Sequence, residues 1–339
     1  MEIESISFNT KKKDYEVSVI APMYNEEAVI QQNIMRIMEA IQRLPEKAEF
    51  ILVNDGSSDK SLELAKAAAE NQSDMTIVSY PQNKGRGFAL RQGFAFARGD
   101  YIITTESDLS WGEGIIEKLL RKLKEDKKYD MVIASPYLAG GRLENVPAKR
   151  SFLSTLGNKI LCNAVSGNLS MLSGMTRGYK REVIDSLYLK SNDKEIHLEI
   201  VSKVLTLGYN ITEIPAILRW EKATPGKARR KSKFKAKKYV LSHLVFSFNE
   251  YPFMLFGTIG LTLAILGVIM GVYSLILSIM GTPVGGRPIV MASILLILFG
   301  MMVSLCTFLA NQQREISNEF TRLYHLILTS QTKDRRDKK

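Results

Sequence analysis

The chain is poor in the side chains that build disulfide frameworks and soft-metal sites. Two cysteines, Cys162 and Cys306, stand far apart in 339 residues, and Cys306 lies inside a long apolar run. They fit neither a disulfide framework nor a thiolate metal site. Three histidines (His197, His243 and His325) are scattered, which argues against a His-rich zinc site. No G-x-x-x-x-G-K-[ST] sequence occurs, so there is no P-loop, and no G-x-G-x-x-G follows the first expected strand, which disfavours a dehydrogenase. Residues 1–15 are polar and charged, so no signal peptide is expected there. Charge itself is missing from two stretches, 251–286 and 288–313, which contain no Asp, Glu, Lys or Arg. Their apolar parts, 253–280 and 289–310, each exceed the roughly 20 residues that cross a bilayer as a helix.

What charge there is lies unevenly. Lys and Arg number 46 against 35 Asp and Glu, a formal net charge of +11. Eight of the thirteen residues 226–238 are Lys or Arg, and a second basic cluster closes the chain at 333–339. Both clusters lie near the apolar runs, which favours an anionic membrane surface over nucleic acid. The linker 281–288 is short and rich in Gly and Pro, so the two spans form a hairpin, and its single Arg287 is outweighed by the basic clusters. The positive-inside rule then puts both termini and the large N-terminal part in the cytoplasm, with the chain integral to the plasma membrane. The expected domains are 1–235, catalytic; 236–252, an interfacial helix with Val240, Leu241, Leu244, Val245 and Phe248 on one face; 253–312, two spans; and 313–339, a cytoplasmic helix with a basic tail.

Within 1–235 apolar strands alternate with amphipathic helices. Strands are expected at 17–22, 50–53, 76–79, 101–104, 131–134 and 210–213, with helices at 28–44, 61–70, 83–97, 151–165 and 197–207. Residues 142–144 read as the start of a mobile loop, and 175–181 as a polar, basic stretch. This alternation implies an α/β fold with a mostly parallel sheet, whose ligand site lies beyond the C-terminal strand ends. Three polar turns fall on that edge. Glu106 and Asp108 stand two apart after the fourth strand, so an extended segment would put both carboxylates on one face, where a divalent, oxygen-seeking ion would relieve their repulsion. Asp55 follows the second strand, where it could accept hydrogen bonds from a ribose or a base. Asn83-Lys84-Gly85-Arg86-Gly87 supplies two cations and two flexible residues that could approach a diphosphate closely.

The run V-S-V-I-A-P-M-Y-N-E-E at 17–27, V-N-D-G-S-S-D at 53–59, N-K-G-R-G at 83–87 and E-S-D at 106–108 resembles the family 2 glycosyltransferases of GT-A fold. The resemblance continues through G-G-R-L-E-N at 140–145, Arg150 and 173–183, and with the apolar hairpin it narrows to the polyprenyl-phosphate glycosyltransferases. It implies that Pro22, Tyr24, Glu26 and Asp55 hold the nucleoside, with Lys84 and Arg86 at the donor. It implies Mg²⁺ or Mn²⁺ at Glu106, Asp108 and Ser110, Asp108 being also catalytic. Arg150, binding the acceptor phosphate, and Arg177, matching a family arginine, would join Asp108 as catalytic residues; Arg142, Glu195, Lys231 and Lys233 complete the substrate contacts. Three departures stand out. Glu106 replaces the usual Asp, Pro136 stands where an arginine is expected in Ser135-Pro136-Tyr137, and an Asp is missing near Ser170 or Met171. Arg142, Lys149 or Arg150 would have to replace that arginine.

The implied reaction is a metal-dependent, inverting transfer of one sugar from GDP-mannose or a UDP-hexose to a membrane polyprenyl phosphate. The alternatives are a polysaccharide or glycolipid synthase with a hydroxyl acceptor, and a non-catalytic membrane scaffold that binds nucleotide sugar. A nucleic-acid partner is not expected, and homo-oligomerisation is left open.

Overall fold

The structure, a computed structural model, describes residues 3–7, 14–70, 72–146, 169–219, 256–281 and 288–336. The expected helix at 151–165, the interfacial segment 236–252, Lys149, Arg150, Lys231 and Lys233 lie outside these residues. The strands are β1 (Glu4–Ser7), β2 (Val17–Met23), β3 (Ala48–Asp55), β4 (Met75–Tyr80), β5 (Tyr101–Thr104), β6 (Met131–Ser135), β7 (Arg142–Glu144), β8 (Arg177–Lys180), β9 (Ile211–Pro215) and β10 (Ile217–Arg219). The helices are α1 (Ile30–Gln42), α2 (Ser61–Ala69), α3 (Arg86–Phe96), α4 (Ile115–Glu125), α5 (Arg181–Ser186), α6 (Ile196–Thr206), α7 (Thr258–Ile279) and α8 (Pro288–Arg336). Contacts divide the chain into two units, Met1–Lys231 with Thr321–Lys339, and Ser232–Phe320.

In the first unit, strands covered on both faces must be apolar almost throughout, and β2 and β3 are. Val17, Val19, Ile20, Phe50, Ile51, Leu52 and Val53 have no exposed surface. Helix α1 buries Ile30, Ile34, Ile37, Met38 and Ile41, and α4 buries Ile115, Ile116, Leu119, Leu120 and Leu123, each a stripe at helical spacing. The sheet runs β1-β4-β3-β2-β5-β8-β6-β9. Pairs β4-β3, β3-β2, β2-β5 and β6-β9 are parallel, while β1 and β8 run antiparallel to their neighbours. The ends of β2, β3 and β5 therefore meet at one edge, and the start of β8 joins them there because it runs the other way, with Thr104 opposite Arg177.

Three short elements depart from the sequence expectation. Residues 175–181 contain β8, inserted between β5 and β6; its R-G-Y-K sequence has none of the apolar alternation that marks a strand. Residues 142–144 form no loop but β7, paired in parallel with β10, Arg142 opposite Ile217 and Glu144 opposite Arg219. Strand β1 lies in the segment that reads as polar, and it pairs with β4. The helix expected beyond the second apolar run is present and is continuous with it in α8, since no Gly or Pro interrupts the chain between Ala310 and Leu328.

The second unit is packed the opposite way from the first. Helices α7 and α8 are long and apolar enough to cross a membrane, and only 17% and 11% of their most apolar windows are buried, so neither is a core helix. Small residues face inward: a Cβ on Gly300 would collide with the backbone of Gly260 and Ala264. Ser304 Oγ donates to Gly300 O at 2.9 Å and Thr307 Oγ1 to Val303 O at 2.8 Å, so these hydroxyls are satisfied within their own helix. Leu261, Leu275, Leu295, Leu298, Leu305 and Phe308 point outward.

Below the sheet, at the edge away from the polar turns, buried Glu49 accepts from Ser18 Oγ (2.7 Å), Arg98 N (2.8 Å) and Arg98 Nε (2.9 Å). This knot anchors the α3–β5 connection against β2 and β3. Replacing Glu49 with Ala should destabilise the protein by about 3 kcal/mol, the low end for a broken buried pair because Arg98 keeps contact with water. The urea midpoint of the detergent-solubilised chain measures this; an unchanged midpoint would refute it.

Candidate active site

The turns after β2 and β3 are joined by their polar side chains. Asn25, in a left-handed conformation (φ 54°), donates its backbone N–H to Ser57 Oγ at 3.0 Å and accepts from Ser58 N at 2.8 Å. Glu26 N donates to Ser61 Oγ at 2.6 Å, and Lys60 N to Glu27 Oε2 at 3.1 Å. This leaves Tyr24 exposed, with Pro22 and Glu26 partly so.

Asp55 is almost fully buried, and both its oxygens are engaged. Oδ1 accepts from Tyr80 Oη (2.9 Å) and Lys84 N (2.8 Å), and Oδ2 from Asn83 Nδ2 (2.9 Å) and Gly85 N (3.0 Å). Burial pushes this carboxyl above its ordinary range, while the bonds from Lys84, Tyr80 and Gly85 pull the other way. The Tyr80 hydroxyl is pushed up in turn, by burial and by the Asp55 charge. Asp55 thus ties the end of β3 to the end of β4 and the start of α3.

The two glycines of the Asn83–Gly87 turn have a different job from the one their flexibility suggests. Gly85 (φ 97°) and Gly87 lie against the backbone of Ser191, Asn192 and Asp193, where a Cβ would collide. The close approach here is between two stretches of the protein. Phe88 N donates to Asn192 O at 3.1 Å. Arg91 donates to Leu189 O (3.0 Å), Lys190 O (3.2 Å) and the Asn192 side chain. Glu199 takes Lys190 N (2.9 Å), Ser191 N (2.8 Å) and Lys203 Nζ (2.7 Å). Glu195 follows this loop, at the N-cap of α6. Arg91 and Glu199 carry no motif and were invisible in the sequence. Lys84 Nζ lies over the Phe88 ring, 5.2 Å from its centroid.

Arg86 reaches the third turn, with Nη1 3.7 Å from Glu106 Oε1. That turn is not the extended segment the spacing suggests. Strand β5 stops at Thr104, Leu109 N bonds back to Glu106 O (3.2 Å), and Leu109 is left-handed (φ 52°). The two acids are brought together by Ser110, whose Oγ donates to Glu106 Oε2 (2.6 Å) and whose N donates to Asp108 Oδ1 (3.1 Å). Asn33 of α1 holds the turn from behind, donating to Ser107 O at 3.0 Å.

Arg177, expected among the catalytic residues, lies in the core. It has no exposed surface, and it donates Nη1 to His197 O (2.9 Å) and Nη2 to Leu172 O (2.5 Å). The cause is its place in β8, in the middle of the sheet. Neighbouring His197 is buried as well, and burial, with the Arg177 charge next, holds its imidazole well below the usual value. Where the Asp is missing, near Ser170 and Met171, the backbone meets an acid of β9: Ser170 N and Met171 N donate to Glu213 at 2.7 and 2.8 Å. Arg142 is exposed and donates Nε to Glu144 Oε1 at 2.7 Å; Glu144 Oε2 takes Arg219 Nε at 2.6 Å. The backbone N of Arg219 donates to Ser110 O at 2.7 Å, so β10 joins the acidic turn directly.

Residues 18–188, just over half of the chain, match the family model described as Glycosyl transferase family 2. The chain belongs to glycosyl transferase family 2. It is 27% identical over 274 residues to an undecaprenyl-phosphate 4-deoxy-4-formamido-L-arabinose transferase of Proteus mirabilis, covering 79% of this chain and 78% of that protein. The Enterobacter protein of the same name is 28% identical over 266 residues, with 78% and 77% covered. Among solved structures, glucosyl-3-phosphoglycerate synthase of Mycobacterium tuberculosis, crystallised with Mn²⁺, UDP-glucose and phosphoglyceric acid, aligns at 17% identity and a TM-score of 0.49, covering 68% of this chain and 79% of that one. The mixed, mostly parallel sheet of the family 2 domain is GT-A-like.

The divalent ion implied by the family resemblance suits the donors present. Glu106, Asp108 and Ser110 offer only oxygen, the preference of Mg²⁺ and Mn²⁺. Among the described residues no group of three or more His, Cys, Asp or Glu could hold a metal. The protein would therefore contribute two acids, and substrate phosphates and water the remaining ligands. Because Asp55 holds this edge together, Asp55→Ala should lower stability by about 3 kcal/mol through the donors it leaves unpaired. Asp55→Asn, which keeps an acceptor oxygen, should cost roughly half as much. Equal midpoints for the two variants in urea unfolding would overturn this role.

Proposed function

We propose that this family 2 protein transfers a single sugar from a nucleotide sugar to a membrane polyprenyl phosphate, with inversion at the anomeric carbon. The observation that carries the reading is the Glu106–Ser110 turn at the sheet edge, with two acids drawn together by Ser110 and Arg86 beside them. Support for the lipid acceptor comes from the relatives named for undecaprenyl phosphate, whose likeness extends beyond residues 18–188. The two apolar helices, with their outward-facing Leu and Phe side chains, support a place in the membrane.

The acceptor explains why the site needs no general base. A phosphate monoester has a second pKa near about 6, so its attacking oxygen is already anionic at neutral pH. His197 is buried, out of reach of a substrate, and so offers no base. A divalent ion, when bound, would supply Lewis-acid stabilisation of the departing nucleoside diphosphate. Glu106 and Asp108 hold their positions for it through Ser110, and Arg86 moderates the repulsion between them. Tyr24, Pro22 and Glu26 present the exposed surface for the nucleoside beside the Asp55 knot, and Arg150, Lys231 and Lys233 are assigned to the acceptor side. The cytoplasmic placement of the catalytic unit and of both termini belongs to the same proposal.

The deciding experiment incubates the full chain with a panel of UDP- and GDP-sugars, undecaprenyl or dolichyl phosphate, and Mg²⁺ or Mn²⁺, and reads the lipid product. A lipid phosphate carrying one sugar is expected; a polymer, a neutral glycolipid or no product would overturn the assignment. In the same assay Asp108→Asn should lower turnover by about 10²- to 10³-fold, the scale of one lost electrostatic contact to the transition state. Unchanged thermal unfolding would show that the fold is intact, and wild-type turnover in this variant would remove Asp108 from the mechanism. Deleting residues from Phe253 onward should preserve nucleotide-sugar binding yet abolish transfer to long-chain lipid, since each CH₂ drawn from the bilayer costs about 0.8 kcal/mol.

A further inference from the structure

Strands β7 and β10 place two arginines side by side, one of which no motif singles out. Arg142 and Arg219 share a single carboxylate, Glu144, at 2.7 and 2.6 Å. Their side chains are 63% and 65% exposed, so the group is a net cation at the surface. The little sheet is fixed in place: Arg142 N bonds to Ala216 O (3.2 Å), Ala216 N to Ser135 O (3.0 Å), and Arg219 N to Ser110 O (2.7 Å). The last of these bonds puts the backbone of Arg219 one hydrogen bond from the turn that carries Glu106 and Asp108. The Ser135 contact ties the same group to the segment in which Pro136 replaces an arginine.

We propose that Arg142 and Arg219 form a clamp for the monoester phosphate of the lipid acceptor, with Glu144 keeping the two guanidiniums together until that phosphate arrives. The proposal rests on the acceptor assignment made above. Exposed ion pairs of this kind contribute little in water, so Glu144 is readily displaced. A phosphate monoester brings close to two charges and three acceptor oxygens, against one charge and two oxygens on Glu144. Each guanidinium contacts Glu144 through Nε, and a planar fork of donors suits phosphate better than a point charge does. Both arginines hold the acceptor beside the acidic turn while leaving its attacking oxygen free of a proton. Arg219 thereby supplies a cation near the segment where Pro136 stands in place of an arginine.

The test is a binding measurement on the full chain in detergent micelles, with undecaprenyl phosphate titrated in one arm and UDP or GDP with Mn²⁺ in the other. Neutral undecaprenol is the control for the lipid tail. Arg219→Ala and Arg142→Ala should each weaken undecaprenyl phosphate binding by about tenfold or more, the scale of a lost charge-assisted hydrogen bond. Nucleoside diphosphate and undecaprenol binding should stay within about twofold, and Arg219→Lys should recover only part of the loss because it lacks the fork. Undecaprenyl phosphate binding unchanged in Arg219→Ala, or a loss that falls equally on the nucleotide, overturns the clamp. The function assignment fails separately: a wild-type chain that binds the lipid phosphate but makes no lipid-linked sugar from any donor in the panel sinks that assignment and leaves the clamp standing.

Discussion

One buried carboxylate holds the functional edge of this protein together. Asp55 gathers the hydroxyl of Tyr80, the side chain of Asn83 and the backbone amides of Lys84 and Gly85, so three elements end or begin at one charge. A buried ion is tolerated only where donors surround it, and here the donors come from the turn whose shape the site needs. Arg86, two residues beyond the first of those amides, is thereby brought to Glu106. The Leu189–Lys194 loop, packed against Gly85 and Gly87 and pinned by Arg91 and Glu199, closes the same turn from the other side.

Charge around this edge follows one rule: cations stand next to acids in partly exposed pairs. Arg86 with Glu106, and Arg142 and Arg219 with Glu144, are contacts of small net worth in water. Such pairs suit a site for anionic substrates, because a phosphate can replace the carboxylate at little cost while the backbone keeps each arginine in place. The other unit works by a different balance. Its helices meet through Gly260 and Gly300 and leave their large apolar side chains outside, an arrangement that lipid favours and water penalises.

The long apolar strands and amphipathic helices were legible because burial on known faces forces a regular spacing. Strand β5 occupies the expected 101–104, and the other expected strands shift by a residue or two at their ends. Short polar elements were not legible. Strand β8 has four residues, R-G-Y-K, and β7 and β10 have three each, too few for any period to register. Their strand character comes from partners 40 to 80 residues away in the chain. The burial of Arg177 and the supply of Glu213 to Ser170 and Met171 follow from that pairing, and so escaped notice.

The sequence by itself determined the alternation of strands and helices, the two long apolar helices and the acidic turn, since each depends on composition over a contiguous run. Only the tertiary structure decided how the two acids meet, through Ser110 in a turn and not by alternation along a strand. It also decided that Asp55 is a knot in the fold, that the glycines at 85 and 87 admit a neighbouring loop, and that Arg219 stands beside Ser110. The physical reason is common to all of these. A hydrogen bond between distant residues depends on where the chain brings them, and nothing in either residue's own neighbourhood records it.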